Sequence, residues 1–232
     1  MNNNNILGRK AAMECFNNSP VYVITDEGQS AGRGNLMVIR EALEAGAKFV
    51  QYREKKKALR AMYEEGLLLR KLTAEYGAAL IVDDYVDLAL IIGADGVHVG
   101  QDDLPAEAVR ALVGDDMVIG LSTHNPDDLA GAVELYKKGV IDYIGAGPVY
   151  PTQTKEKPAP VTGLDYIELA ADTYAETGLP FVAIGGIKEH NIGAVAAVGA
   201  EHCAVVSDIT MAADIGEKIA ALTAAMKKFA LV

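Results

Sequence analysis

The chain has 232 residues, half of them apolar and 23% charged, which suits one α/β domain large enough to bury a core without cross-links. A formal charge of −11 and the absence of Trp argue against a nucleic-acid partner, since phosphate neutralisation needs a basic face. Two cysteines suggest a reducing, cytoplasmic setting, and the lack of a run of about 18 uninterrupted apolar residues rules against a spanning helix, so no membrane partner is expected.

Residues 1–19 hold a polar start and the amphipathic stretch ILGRKAAMECF, read as an N-terminal extension with one extra helix. From Pro20 onward, short β-branched runs alternate with longer amphipathic ones. VYVITD precedes LMVIREALEAGA; FVQYRE precedes LRAMYEEGLLLRKLTAEYG; ALIVDD precedes YVDLALIIGA. GVHVG is followed by PAEAVRALVG, MVIGLST by PDDLAGAVELYKKG, and DYIGAGPVY, after an irregular segment, by GLDYIELAADTYAETG. PFVAIGGI then leads to EHNIGAVAAVGA, and CAVVSDI to AADIGEKIAALTAAMKKFA. The strand runs are apolar at nearly every position, as expected for parallel strands covered on both faces. Eight such units predict a single-domain (β/α)8 TIM barrel over residues 20–232. An open doubly wound sheet would carry a Gly-rich fingerprint after its first strand, and ITDEGQS is not one.

In a barrel of this kind the chemistry sits on the loops at the strand C-termini. Reading each exit in turn gives Gln51, Arg53 and Lys55; then Asp83 and Asp84; then Gln101, Asp102 and Asp103. Ser122, Thr123 and His124 follow, then Thr152, Thr154 and Lys155, then Gly185 and Gly186, then Ser207. Cations at one mouth of an acidic chain select an anion. Asp84 and Asp103 on adjacent strands are hard oxygen ligands suited to Mg2+ shared with phosphate oxygens and water. The glycines of AIGGI and the start of VVSDI suit a second phosphate. Each signal has a plainer reading alone. Asp83-Asp84 can cap the next helix, REKKK can be a solvated run, and His98 inside a strand reads as a packed, hydrogen-bonded histidine.

QYREK, VDD, GVHVGQDD, GLSTHN, GPVYPTQTK, AIGGI and VVSDI occur in order along nearly the whole chain, and with this spacing the sequence resembles the thiamine phosphate synthase family. The resemblance implies an enzyme that joins a pyrimidine methyl diphosphate to a thiazole phosphate, releasing pyrophosphate. Gln51, Tyr52, Arg53, Glu54 and Lys55 would hold the pyrimidine diphosphate with Asp83 and Ser122, and Lys155 would close over it. Thr152, Gln153 and Thr154 would contact the thiazole phosphate, cradled by Gly186, Val206 and Ser207. Asp84 and Asp103 would bind Mg2+. Arg53, Lys55, Ser122 and Lys155 would carry catalysis. The partners implied are these two small molecules, and a homo-oligomer is compatible with the sequence. A thiazole tautomerase with the same barrel, or a non-catalytic barrel that binds thiamine precursors, is the rival reading. The family usually has Asn where this chain has Asp83, and an ionised carboxylate there can only accept hydrogen bonds. Asp83 is therefore expected to repel a diphosphate unless it is protonated, turned away or bound to metal. The segment from Gln153 to Thr162 reads as a lid.

Overall fold

A computed structural model describes residues 7–154 and 159–229. Lys155 lies outside the described residues, as does the middle of the segment read as a lid. Eight parallel strands close into one barrel in sequence order. They are β1 (Val21–Ile24), β2 (Phe49–Tyr52), β3 (Ala79–Asp83), β4 (Gly96–Val99), β5 (Val118–Thr123), β6 (Tyr143–Ala146), β7 (Phe181–Ile184) and β8 (Cys203–Val205). β1 pairs with β2 on one side and with β8 on the other, which completes the ring. The helices are α1 (Arg9–Asn17), α2 (Asn35–Glu44), α3 (Leu59–Glu75), α4 (Val86–Ile92), α5 (Ala106–Val113), α6 (Pro126–Lys137), α7 (Gly163–Thr177), α8 (Ile192–Ala197), α9 (Ser207–Thr210) and α10 (Ile215–Phe229). The short α9, between β8 and α10, adds an element to the simple strand–helix alternation that the sequence suggests.

Side chains alternate in and out along each strand. Tyr22, Ile24, Phe49, Ala79, Ile81, Val118, Tyr143, Val182 and Ala204 form the cluster inside the barrel. Their sequence neighbours, such as Val23, Val50, Leu80, Ile119 and Ile144, pack outward in the larger core. Large rings inside the barrel are matched by glycines on adjacent strands. A Cβ on Gly120 would lie 2.4 Å from both His98 Nδ1 and the Tyr143 ring. These glycines are the space His98 and Tyr143 occupy.

α1 closes the N-terminal end. Its Ala12 and Phe16 join the interior cluster, and the Phe16 ring lies 5.2 Å from Phe49, 5.0 Å from Tyr143 and 4.4 Å from His202. Two buried carboxylates hold the plug in place. Asp95, just before β4, accepts from the Leu7 and Leu80 amides at 2.8 Å and pairs with Arg70 of α3. Asp142, just before β6, accepts from the Ile119 amide at 2.8 Å, from Arg9 at 2.5 Å and from Arg110 at 3.1 Å. A depression of about 710 Å³ at this end is lined by Arg9, Lys10, Glu14, Asp116 and Asp142. Its Arg9 and Asp142 pair with each other, which marks it as part of this attachment.

His202 is buried against Phe16 with its Nδ1 3.0 Å from the Ser19 carbonyl, and burial lowers its pKa below 6.5. A depressed folded-state pKa contributes stability that is complete above the unfolded value and is lost as pH falls through the folded value. Urea unfolding is therefore expected to show stability declining as pH drops below about 6.5, with His202→Gln flattening that part of the profile. An unchanged profile in the variant counts against it.

Candidate functional site

Parity along β2 decides what reaches the mouth. Phe49, Gln51 and Arg53 point into the barrel or its rim, while Val50, Tyr52 and Glu54 point the other way. The Arg53 amide donates to Thr25 Oγ1 at 2.9 Å, and that hydroxyl lies 3.1 Å from the Arg53 carbonyl, which fixes the exits of β1 and β2 together.

The Arg53 guanidinium is buried between carboxylates. Its NH1 lies 2.8 Å from Asp26 Oδ2 at the exit of β1, and its Nε 3.6 Å from Asp83 Oδ2 at the end of β3. NH2 stands 3.5 Å from the Thr154 carbonyl, so the loop after β6 already touches this cation. Lys55 Nζ lies 2.8 Å from Asp83 Oδ2 and pairs with Asp84 as well. Burial disfavours the Lys55 ammonium, but Asp83 and Asp84 outweigh it and raise the pKa, so the group is charged at neutral pH. Asp83 is thus turned toward two cations that balance its charge, a relief other than the protonation, turning away or metal binding that the sequence suggests.

Asp84 adopts a left-handed backbone, φ 63°, which is uncommon outside glycine and concentrates at functional sites. Its amide is held by the His98 carbonyl at 2.9 Å. Neither aspartate caps the following helix, because α4 begins at Val86 with Tyr85 at its N-cap and no side-chain cap. On the neighbouring β4 exit, Asp103 Oδ2 accepts from the Gly100 amide at 2.7 Å, and Gln101 donates to the Ser122 carbonyl at 2.7 Å.

Among the described residues no cluster of three or more His, Cys, Asp or Glu is poised to hold a metal by itself. The donor chemistry still fits a hard cation that takes one or two carboxylates and fills its shell from phosphate and water. Among the described residues, the carboxylates of Asp26, Asp83 and Asp84 outnumber the cations Arg53 and Lys55 that pair with them, and Asp103 lies on the next strand exit.

Ser122, buried at the inner end of the mouth, has its Oγ 3.0 Å from His98 Nε2. His98 is the packed, hydrogen-bonded histidine the sequence suggests. Gln51 donates to the Tyr22 hydroxyl at 2.9 Å. Across the mouth, the loop after β6 is stitched to the exit of β7. Val149 and Tyr150 amides donate to the Ile184 and Gly185 carbonyls at 2.9 Å each. A Cβ on Gly186 would sit 2.6 Å from the Pro151 carbonyl oxygen, so glycine there permits the close approach. The Thr154 amide donates to Thr152 Oγ1 at 3.3 Å, and Gln153 is exposed beside them. Ser207 opens α9 directly after Val206 at the exit of β8. Its amide, like those of any first helical turn, has no partner within the helix.

The structure brings Gln51, Arg53, Lys55, Asp83, Asp84 and Ser122 to one end of the barrel, with Asp103, Thr152, Thr154, Gly186, Val206 and Ser207 on exits of the same end. It does not bring the side chains of Tyr52 and Glu54 there. The Tyr52 hydroxyl donates to Glu65 at 2.6 Å, and Glu54 Oε1 accepts the Lys55 and Lys56 amides at 2.9 and 3.0 Å, shaping the loop after β2. Of the REKKK cations, Lys57 pairs with Glu27 and Glu65, so most of the run is engaged rather than solvated. Asp26 is the residue sequence reasoning missed; its position at the exit of β1, one strand from Arg53, was the available signal.

A family model described as thiamine monophosphate synthase matches residues 21–209. The chain belongs to this family. Thiamine-phosphate synthase of Pelotomaculum thermopropionicum is 47% identical over 220 residues, covering 95% of this chain and 98% of the relative. That of Caldicellulosiruptor saccharolyticus is 46% identical over 223 residues, covering 96% and 98%. A solved thiamine phosphate pyrophosphorylase from Pyrococcus furiosus superposes with a TM-score of 0.79 at 37% identity, covering 92% of this chain and 98% of that one. Within the family, the Arg53 clamp yields a specific expectation. Asp26→Ala lowers kcat/KM for the pyrimidine diphosphate by about 10- to 100-fold through a loosened guanidinium; steady-state kinetics giving wild-type values would rule out the clamp.

Proposed function

We propose that this chain joins the pyrimidine carried as its methyl diphosphate to the thiazole phosphate, and that Arg53, Lys55 and Ser122 assist the departure of pyrophosphate. The observation that carries the reading is the rim where Arg53 and Lys55 are gathered beside Asp84 at one strand-exit end. A tautomerase acting on a thiazole phosphate alone has no use for such a rim, and the curated relatives are named as synthases.

The reaction is read as dissociative. The carbon–oxygen bond to the diphosphate breaks first, leaving a resonance-stabilised pyrimidine methyl cation that the thiazole nitrogen captures. Charge accumulates on the leaving pyrophosphate, so fixed cations stabilise the transition state more than the ground state. Arg53 and Lys55 exchange part of their pairing with Asp83 and Asp84 for diphosphate oxygens. Ser122 donates its hydroxyl to the same group, and Gln51 orients the pyrimidine ring. Lys155 is assigned to the diphosphate by the family resemblance alone. Bound at Asp84 and Asp103, Mg2+ would supply further neutralisation of the diphosphate. Gly186, Val206 and Ser207 offer backbone amides to the thiazole phosphate, with Thr152, Gln153 and Thr154 beside it. The nitrogen that attacks carries no proton, so the site needs no general base.

Incubating the protein with both precursors and Mg2+ is expected to produce thiamine phosphate by mass, with turnover falling steeply when the metal is chelated. Absence of product would refute the assignment; undiminished turnover without divalent ions would refute the metal role of Asp84 and Asp103.

A further inference from the structure

The barrel interior contains a continuous polar chain whose middle members the reaction as described does not use. Gln51 Nε2 lies 2.9 Å from the Tyr22 hydroxyl, which lies 3.1 Å from the Tyr143 hydroxyl. Tyr143 lies 3.0 Å from His98 Nδ1, and His98 Nε2 lies 3.0 Å from Ser122 Oγ. The chain thus crosses the barrel from β2 through β1, β6 and β4 to β5, and ends on two residues of the mouth.

We propose that Tyr22, Tyr143 and His98 are positioning residues that fix the direction of the Ser122 hydroxyl, so that its proton faces the leaving diphosphate. This rests on the reading of Ser122 as a donor to that group. Counting donors gives the direction. Gln51 presents an N–H to Tyr22, so the phenolic oxygen of Tyr22 is already an acceptor. If Tyr143 also donated to Tyr22, the Tyr22 proton would be left buried without a partner, which costs about 1–3 kcal/mol. Tyr22 therefore donates to Tyr143, Tyr143 donates to His98 Nδ1, and the imidazole carries its proton on Nε2. That N–H donates to Ser122 Oγ, leaving the serine proton for the mouth. Burial raises the pKa of both phenols, which keeps their protons in place. The neighbouring glycine of β5 lets the imidazole reach this position, since a Cβ at Gly120 would stand 2.4 Å from Nδ1.

The same chain links the two ends of the site. Committing one N–H of Gln51 to Tyr22 leaves its carbonyl oxygen to accept from an amino group of the pyrimidine. The seat of the ring and the donor to its leaving group are then held by one hydrogen-bonded line.

Two measurements on the full chain test this. In a kinetic cycle with both precursors and Mg2+, Ser122→Ala is expected to lower kcat about 10²–10³-fold. His98→Asn lowers it about tenfold, roughly one hydrogen bond, without changing KM for the thiazole phosphate. In the Ser122→Ala background, His98→Asn should cost almost nothing more, and His98→Gln, which can still donate near the Nε2 position, should recover part of the single-variant loss. Equal losses from His98→Asn in both backgrounds would overturn the proposal while leaving the catalytic role of Ser122 intact. Full turnover in Ser122→Ala would instead remove the reading on which it rests. Independently of activity, 15N NMR of the histidine rings, assigned through His98→Asn or by comparison with Tyr143→Phe, should show His98 as the Nε2–H tautomer. The Tyr143→Phe substitution, which removes a single oxygen, should weaken that preference. An Nδ1–H tautomer in the wild type would overturn the proposal whatever the kinetics show.

Discussion

Charge compensation at the exits of β1, β2 and β3 is the constraint around which this mouth is built. A cationic side chain as buried as that of Arg53, 9% exposed, is tolerable only with carboxylates in contact, and Asp26 and Asp83 supply them. Lys55 shares Asp83 and reaches Asp84 in turn. The arrangement holds two cations in fixed places, so that under the proposed function little reorganisation would be needed when a diphosphate binds. It also makes sense of Asp83. Where an amide could have donated directly, this chain has a carboxylate that instead holds Lys55 and Arg53 in line. Among the described residues the paired cluster holds more carboxylates than cations, an excess that a divalent ion would offset.

The rest of the barrel keeps those exits in register. Alternation along short strands separates an outer apolar layer from an inner column of Phe49, Tyr22, Tyr143 and His98, and strand glycines make room for the rings. At the bottom, Phe16 of α1 packs on Phe49, Tyr143 and His202, while Asp95 and Asp142 tie the N-terminal segment down. At the top, the same Tyr143 passes its hydroxyl to His98 and so to Ser122. One aromatic residue therefore touches both the plug and the line of bonds that ends in the mouth.

Much of this is legible in the chain itself, because it follows from local rules. Apolar runs separated by amphipathic ones predict the barrel, and its closed ring of eight parallel strands follows that order. The polar residues at strand exits collect at one end because all parallel strands point the same way. What could not be read was side-chain pairing across strands. Tyr52 and Glu54 sit in the same string as Arg53 and Lys55, yet the period of two sends them to Glu65 and to the loop amides. That parity was present in QYREK, where Gln51 and Arg53 alternate with Tyr52 and Glu54. The partnership of Asp26 with Arg53 spans 27 positions and depends on the register of β1 with β2, which no local pattern specifies. The left-handed backbone of Asp84 is likewise a product of the β3 exit, not of the dipeptide Asp83-Asp84. His98 reads correctly as packed, but its partners Tyr143 and Ser122 lie 45 and 24 residues away, beyond reach of sequence spacing.

The most direct test of the compensated rim is calorimetric titration of inorganic pyrophosphate with Mg2+ into the wild type, Arg53→Met and Lys55→Met. Each variant deletes a positive charge while keeping an unbranched side chain. If the rim receives the leaving group, both substitutions weaken binding at least about tenfold, the scale of one charge-assisted hydrogen bond. Wild-type affinity in both proteins would place the pyrophosphate elsewhere and contradict the account.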